Sequence, residues 1–218
     1  MDNQIGVTYT GDHTRTAVEA SSTGEAIAGA AAVVLGILGL IGLLPGVLAS
    51  IACIAAGAGL LLAGGAIAGR FSRIANNIEP NRPRQEVTGS LGMEALAGAA
   101  GVVLGILALL GVGTIALLSI AAIVLGAGLI MAGGARSRLE TFSHQRNLVT
   151  GEGRAMEDVV YVSSGSDILI GVGTIVLGIL ALSGIAPLTL NLISMLAIGA
   201  AILLGGSTIA ARVFSHFG

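Results

Sequence analysis

The sequence predicts an all-α integral membrane protein: six transmembrane helices arranged as three tandem glycine-rich helical hairpins. Three observations carry that expectation. The chain has 218 residues, 54% hydrophobic and 10% charged, where a soluble domain carries about 25% charged residues. The charges are segregated, for no Asp, Glu, Lys or Arg falls within 26–69, 95–135 or 168–211. Each blank is about twice the roughly 20 apolar residues that cross a bilayer core. The blanks are also copies of one another. Val34-Leu35-Gly36-Ile37-Leu38 returns at 103–107 and 176–180, inside a longer unit that repeats without a gap over 25–65, 94–134 and 167–207.

The chain therefore divides into a polar lead (1–24), a first hairpin (25–69), a linker (70–93), a second hairpin (94–135), a second linker (136–166), a third hairpin (167–211) and a tail (212–218). The lead is polar and the first apolar run is much longer than the core of a signal peptide, so no signal peptide is expected. The lead ends in Ser22-Thr23-Gly24-Glu25, and Ser164-Gly165-Ser166-Asp167 stands at the matching place before the third unit. Both read as capping boxes, in which hydroxyl and carboxylate satisfy free N–H groups at a helix start. The second unit has Leu91 instead of the serine but keeps Glu94. The three acids suit the positive end of a helix dipole. Capping and interfacial anchoring is the plain reading of Glu25, Glu94 and Asp167; a proton or cation site is the sharper one.

The first helix of each hairpin is expected over about 25–41, 94–110 and 167–183. Each is followed at one matching position by glycine (Gly42, Gly111, Gly184), the residue that closes a helix in the left-handed conformation. Three residues later come Pro45, Thr114 and Pro187. Proline suits the first turn of a helix, where its missing N–H is not needed. The second helices are thus expected to start near 45, 114 and 187 and to run to about 67, 136 and 210. Phe71-Ser72-Arg73, Phe142-Ser143-His144 and Phe214-Ser215-His216 follow them and read as interfacial anchors. Asn81-Arg82-Pro83-Arg84 reads as loop. Ile5–Thr10, Gln85–Thr88 and Asp158–Ser163 are short β-prone pieces that could pair into a small surface sheet.

Lipid is as apolar as leucine, so close packing of small residues holds membrane helices together. Aligned across the units stand Gly29, Gly98 and Gly171, then Ala32, Gly101 and Thr174, then Gly36, Gly105 and Gly178. Steps of three and four keep them on one helix face. In the second helices the aligned sets are Gly57, Gly126, Gly199 and Gly64, Gly133, Gly206. These glycines are the predicted helix-packing residues. The stripe could join the two helices of a hairpin, one hairpin to the next, or one protomer to another.

The chain has no lysine, and its ten arginines all lie in the lead, linkers or tail, never at a hairpin tip. The positive-inside rule places both termini and both linkers in the cytoplasm, in an inner or plasma membrane. Net charge is −2, which leaves no basic footprint for nucleic acid. The one cysteine, Cys53, permits no intramolecular disulfide. His13, His144 and His216 all fall on the cytoplasmic side, two of them at matching repeat positions, which suits anchoring better than a metal site. No nucleophile–base order, phosphate loop or paired-cysteine motif is present, so neither enzyme nor cofactor is expected. The polar side chains inside the spans (Ser50, Thr114, Ser119, Ser183, Thr189, Asn191, Ser194) leave a pore lining open.

Three tandem two-helix units with V-L-G-I-L near the start, Pro45 or Pro187 at the turn and L-x-x-G-G at the end (Leu61–Gly65, with Ile130–Gly134 alike) resemble the HdeD-type membrane protein family. The resemblance covers 26–214 and implies six spans and a stress role, acid resistance giving the family its name. This chain departs from the pattern in having no Lys, no Trp and a longer polar lead. No catalytic residue comes with the resemblance. The partners expected are the lipid bilayer and either further copies of the chain or a larger membrane complex. Three functions remain open: a structural protein, a passive channel or small-solute transporter around a pseudo-threefold axis, and a membrane-shaping protein whose uncharged tips, such as Leu43-Leu44-Pro45-Gly46, stop inside the bilayer.

Overall fold

A computed structural model describes residues 12–75, 85–147 and 154–214, and side-chain surroundings for 23–64, 92–134 and 165–205. The described residues are helical apart from three short turns. In chain order the helices are α1 (Asp12–Leu40), α2 (Pro45–Ala75), α3 (Gln85–Leu109), α4 (Thr114–Asn147), α5 (Arg154–Leu182) and α6 (Pro187–Phe214). Each contains an apolar window of 18 to 21 residues, about 27–32 Å long at the rise of an α-helix. That matches the roughly 30 Å hydrocarbon core of a bilayer.

The turns fall where the glycines place them. Gly42, Gly111 and Gly184 have φ of +98°, +83° and +88°. At each, the glycine N–H bonds back to Gly39, Ala108 or Ala181, and the next N–H (Leu43, Val112, Ile185) reaches Leu38, Leu107 or Leu180. This pair of bonds is the Schellman closure of a helix. Two residues on, Leu44, Gly113 and Ala186 also take positive φ, +43°, +57° and +39°. Their carbonyls accept the first bonds of α2, α4 and α6, from Leu48, Leu117 and Leu190. Pro45 and Pro187 then open α2 and α6. Thr114, which opens α4, instead bonds its hydroxyl across the turn to Ala108 O at 3.0 Å.

The other helix ends lie well beyond the expected ones. α1, α3 and α5 start before the acids, so Ser22-Thr23-Gly24-Glu25 and Ser164-Gly165-Ser166-Asp167 sit inside helices and are not capping boxes. The β-prone pieces at Gln85–Thr88 and Asp158–Ser163 are helical, as first turn of α3 and part of α5. Helix propagation adds one bond per residue fixed, so an established helix carries through β-prone residues. Phe71 and Phe142 are likewise within α2 and α4, and Phe214 ends α6. Ile5–Thr10, Asn81-Arg82-Pro83-Arg84 and His216 lie outside the described residues.

The helices form two shells. α2, α4 and α6 touch one another, while α1 packs between α6 and α2, α3 between α2 and α4, and α5 between α4 and α6. The apolar windows of α2, α4 and α6 are 50%, 50% and 44% buried, against 28% for each of α1, α3 and α5. Along the outer helices the aligned residues Val34, Val103 and Val176, and likewise Ile37, Ile106 and Ile179, are exposed. They present the apolar surface that lipid covers.

The inner shell is filled. Aligned positions down α2, α4 and α6 are Ala49, Leu118, Asn191; Cys53, Ala122, Met195; Ala56, Leu125, Ile198; and Leu60, Leu129, Ile202, all 0–3% exposed. Several sets oppose a small residue on one helix with a large one on another, so the side chains interlock.

Candidate functional site

The most repeated feature of the structure is a set of three backbone contacts between helices of successive units. Gly57 of α2 meets Gly98 of α3, Gly126 of α4 meets Gly171 of α5, and Gly199 of α6 meets Gly29 of α1. The last pair closes the chain into a ring. A methyl carbon placed on Gly98 would lie 2.6 Å from Gly57 O and 2.6 Å from Leu61 N. On Gly171 it would lie 2.6 Å from Gly126 O and 3.2 Å from Ile130 N; on Gly29, 2.8 Å from Gly199 O and 2.6 Å from Leu203 N. Leu61, Ile130 and Leu203 are themselves aligned across the repeats, so the same atoms meet in each seam. The glycine hydrogens that take the place of a Cβ point at the facing carbonyls, the arrangement of weak Cα–H···O contacts.

The remaining predicted packing glycines have these surroundings. Gly36 faces Leu196 and Leu192 of α6, Gly105 faces Ile54 and Ser50 O of α2, and Gly178 faces Ile123 and Ser119 O of α4. Gly64 faces Ala95 of α3, and Gly101 receives the Leu125 side chain of α4. Gly133 is buried in α4. Gly206 lies in α6 beyond the residues whose surroundings are described. Three glycines outside the predicted set are also tightly covered: Gly39 by Leu192, Gly59 by Ile202, and Gly128 by Ala97. Their aligned partners are Ala108 and Ala181 for Gly39, and Ala201 for Gly59 and Gly128. A search for small residues at matching positions, in place of glycine identity, finds them.

Glu25, Glu94 and Asp167 are 7%, 1% and 4% exposed. They fall just inside the apolar windows that begin at Thr23, Gly92 and Gly165. Each precedes the seam glycine of its own helix by one turn, so the acids stand in three separate seams. One buried carboxyl thus enters the end of the apolar window of each outer helix. No group of three or more His, Cys, Asp or Glu able to hold a metal occurs among the described residues.

The polar residues deeper in the spans bond within the chain. Ser50, Ser119 and Ser194 donate to the carbonyls of Gly46, Ile115 and Leu190, one turn back, at 2.8–2.9 Å. Thr174 donates to Gly171 O at 2.9 Å. The Cys53 thiol is buried against Gly101 O at 3.3 Å. Asn191 links two helices of the inner shell. Its Nδ2 donates to Ser119 Oγ at 3.1 Å and lies 3.5 Å from Ile115 O. The single Ser119 hydroxyl proton goes to the closer Ile115 O, which leaves Ser119 Oγ as the acceptor of the amide. An open groove of about 530 Å³ lies at the turn end beside this pair. It is lined by Gly113–Ala116 of the second unit and by Ala181, Leu182, Gly184 and Pro187 of the third.

Six helices long and apolar enough to cross a membrane, packed with their apolar outer faces exposed, fit an integral membrane protein. No family model, curated protein or solved structure matches the chain.

Proposed function

We propose that the protein is a non-enzymatic structural protein of the inner or plasma membrane, both termini in the cytoplasm, that acts as a six-helix scaffold. The observation that carries this reading is the filled inner shell. A residue lining a wet lumen keeps accessible surface, yet Ala49, Leu118, Asn191, Cys53, Ala122, Met195, Leu125 and Ile198 have none. A pore along the pseudo-threefold axis would need those side chains to move apart. Windows matched to the bilayer thickness support helices that cross it fully over hairpins that stop halfway.

Association with further copies or with a larger membrane complex belongs to the same proposal. The seam glycines face other helices of their own chain, so such contacts use the outer faces of α1, α3 and α5. A role under acid or envelope stress rests on the resemblance to the HdeD-type family.

The purified particle tests the reading. A defined stoichiometry, or one recurring co-purifying protein, is expected, together with no solute flux in proteoliposomes. Selective flux above empty liposomes would replace the scaffold with the channel. For orientation, a cysteine introduced at Asn81 should resist an impermeant reagent applied outside intact cells, and one at Thr114 should react.

A further inference from the structure

The pseudo-threefold ring has one loose joint. Of the six contacts between neighbouring helices round the ring, α5–α6 is the least extensive, well below its counterparts α1–α2 and α3–α4. Local sequence supplies a cause. The buried outer-helix position that is Ala32 in α1 and Gly101 in α3 is Thr174 in α5. The inner-helix position aligned against it is Ala56, Leu125 and Ile198 in turn. In the second unit the fit is direct, for Leu125 occupies the space a Cβ on Gly101 would take. The first unit has alanine at both positions. The third unit has threonine and isoleucine at these positions, both β-branched and stiff about χ1, and Thr174 turns its hydroxyl to Gly171 O and against Gly126 of α4. This place in α5 and α6 therefore lacks the open space that Gly101 gives Leu125.

Two further observations lie at the same joint. The groove at the turn end is bounded by α4, the end of α5 and Pro187 of α6. Directly behind it Asn191 ties α6 to α4, reaching toward the carbonyl of Ile115, a residue of the groove wall. The matching positions in the other units, Ala49 and Leu118, have no such link.

We infer that the α5–α6 joint is where the bundle opens sideways to the lipid, α5 swinging away from α6 while the Gly126–Gly171 contact keeps it on α4, and that the Asn191–Ser119 bond limits the opening. The opened joint uncovers the buried Thr174 and Ile198 and the hydroxyl and amide groups behind them. The device does not depend on the scaffold reading, since it concerns which helices part and not what the protein carries or binds.

Distances between spin labels on the full chain in lipid nanodiscs test it, in a Cys53→Ala background that copies Ala122. The pseudo-symmetry provides internal controls. Val34 and Ile51, Val103 and Ile120, and Val176 and Ile193 are aligned pairs, one residue on each helix of a unit, all exposed. The 176/193 distribution is expected to be longer and broader than the other two. Thr174→Gly should narrow it toward the 103/120 distribution, and Asn191→Ala should broaden it. Three distributions of equal width overturn the inference, as does a 176/193 distribution that Thr174→Gly leaves unchanged. Should Thr174→Gly fail to fold, the wild-type comparison and Asn191→Ala still decide.

Discussion

Gly57 and Gly98 face each other so closely that a methyl group on either would sit 2.6–2.7 Å from the other's carbonyl oxygen. These are backbone atoms, and no rotamer change can relieve the clash. Gly98→Ala must push α2 and α3 apart, and overpacking of this kind costs about 1–3 kcal/mol. That outweighs the ~1 kcal/mol that alanine gains over glycine within a helix. Gly173→Ala is the control, because nothing lies within 4 Å of its Cβ position. A thermal melt in detergent should show Gly98→Ala below wild type and Gly173→Ala at or above it. The same order is expected for Gly171→Ala and Gly29→Ala, since the contact is repeated in all three seams.

A second set of glycines separates backbone from side-chain crowding. Changed to leucine, Gly36, Gly105 and Gly178 each force two helices apart, and all three variants should lose detergent stability. Changed to alanine, they should differ. The nearest atom is 3.1 Å away at Gly36, the Leu196 Cβ, but 2.7–2.8 Å at Gly105 and Gly178, where backbone oxygens also lie within 3.1 Å. Gly36→Ala is therefore expected to be the mildest of the three. Wild-type melting in all three leucine variants would show that these contacts do not hold the bundle together.

The turns give a prediction of opposite sign. Leu44 and Ala186 hold positive φ without being glycine, whereas Gly113 fills the same place in the second unit. A left-handed residue with a Cβ costs roughly 1–2 kcal/mol. Ala186→Gly gives back part of that through the greater freedom of the unfolded chain, so a gain of up to about 1 kcal/mol is expected. Gly184→Ala, at φ +88°, should lose stability by a comparable amount. Denaturant titration of the two variants checks both signs at once.

The turns also mark how far the sequence could be read. Gly42 and Pro45, with their copies, locate the helix ends at the tips because closing glycine and opening proline act within a few residues. The outer ends were hidden. Ser22 and Glu25 have the spacing of a capping box, but that motif acts only where the preceding residues are not helical, and here α1 already runs from Asp12. Asp158–Ser163 has strand-like composition, and β-propensity yields readily to context. The glycine stripe could be read on each helix separately. Its partner could not, because alignment shows that Gly57 and Gly126 are equivalent without showing that α2 meets α3 more extensively than its own hairpin partner α1. The burial of Glu94 was missed for the same reason: an acid at the edge of an apolar block looks alike at an interface and in a seam.

The hydrogen bond from Asn191 to Ser119 breaks the pseudo-threefold pattern, and its strength can be measured. Interhelical side-chain bonds in membranes average about 0.6 kcal/mol, with a maximum near 1.7. Asn191→Leu introduces the residue that Leu118 already provides at the aligned position, so the fold has a precedent for it. Ser119→Ala leaves the Asn191 amide facing Ile115 O alone, at 3.5 Å, which is too long to replace what is lost. Each single variant should therefore cost about 0.5–1.5 kcal/mol. The double variant should cost less than the sum, because an apolar pair leaves no buried amide without its acceptor. A double-mutant cycle on unfolding free energies reads the coupling directly. A coupling of zero would mean that Asn191 and Ser119 lie side by side without holding α6 to α4.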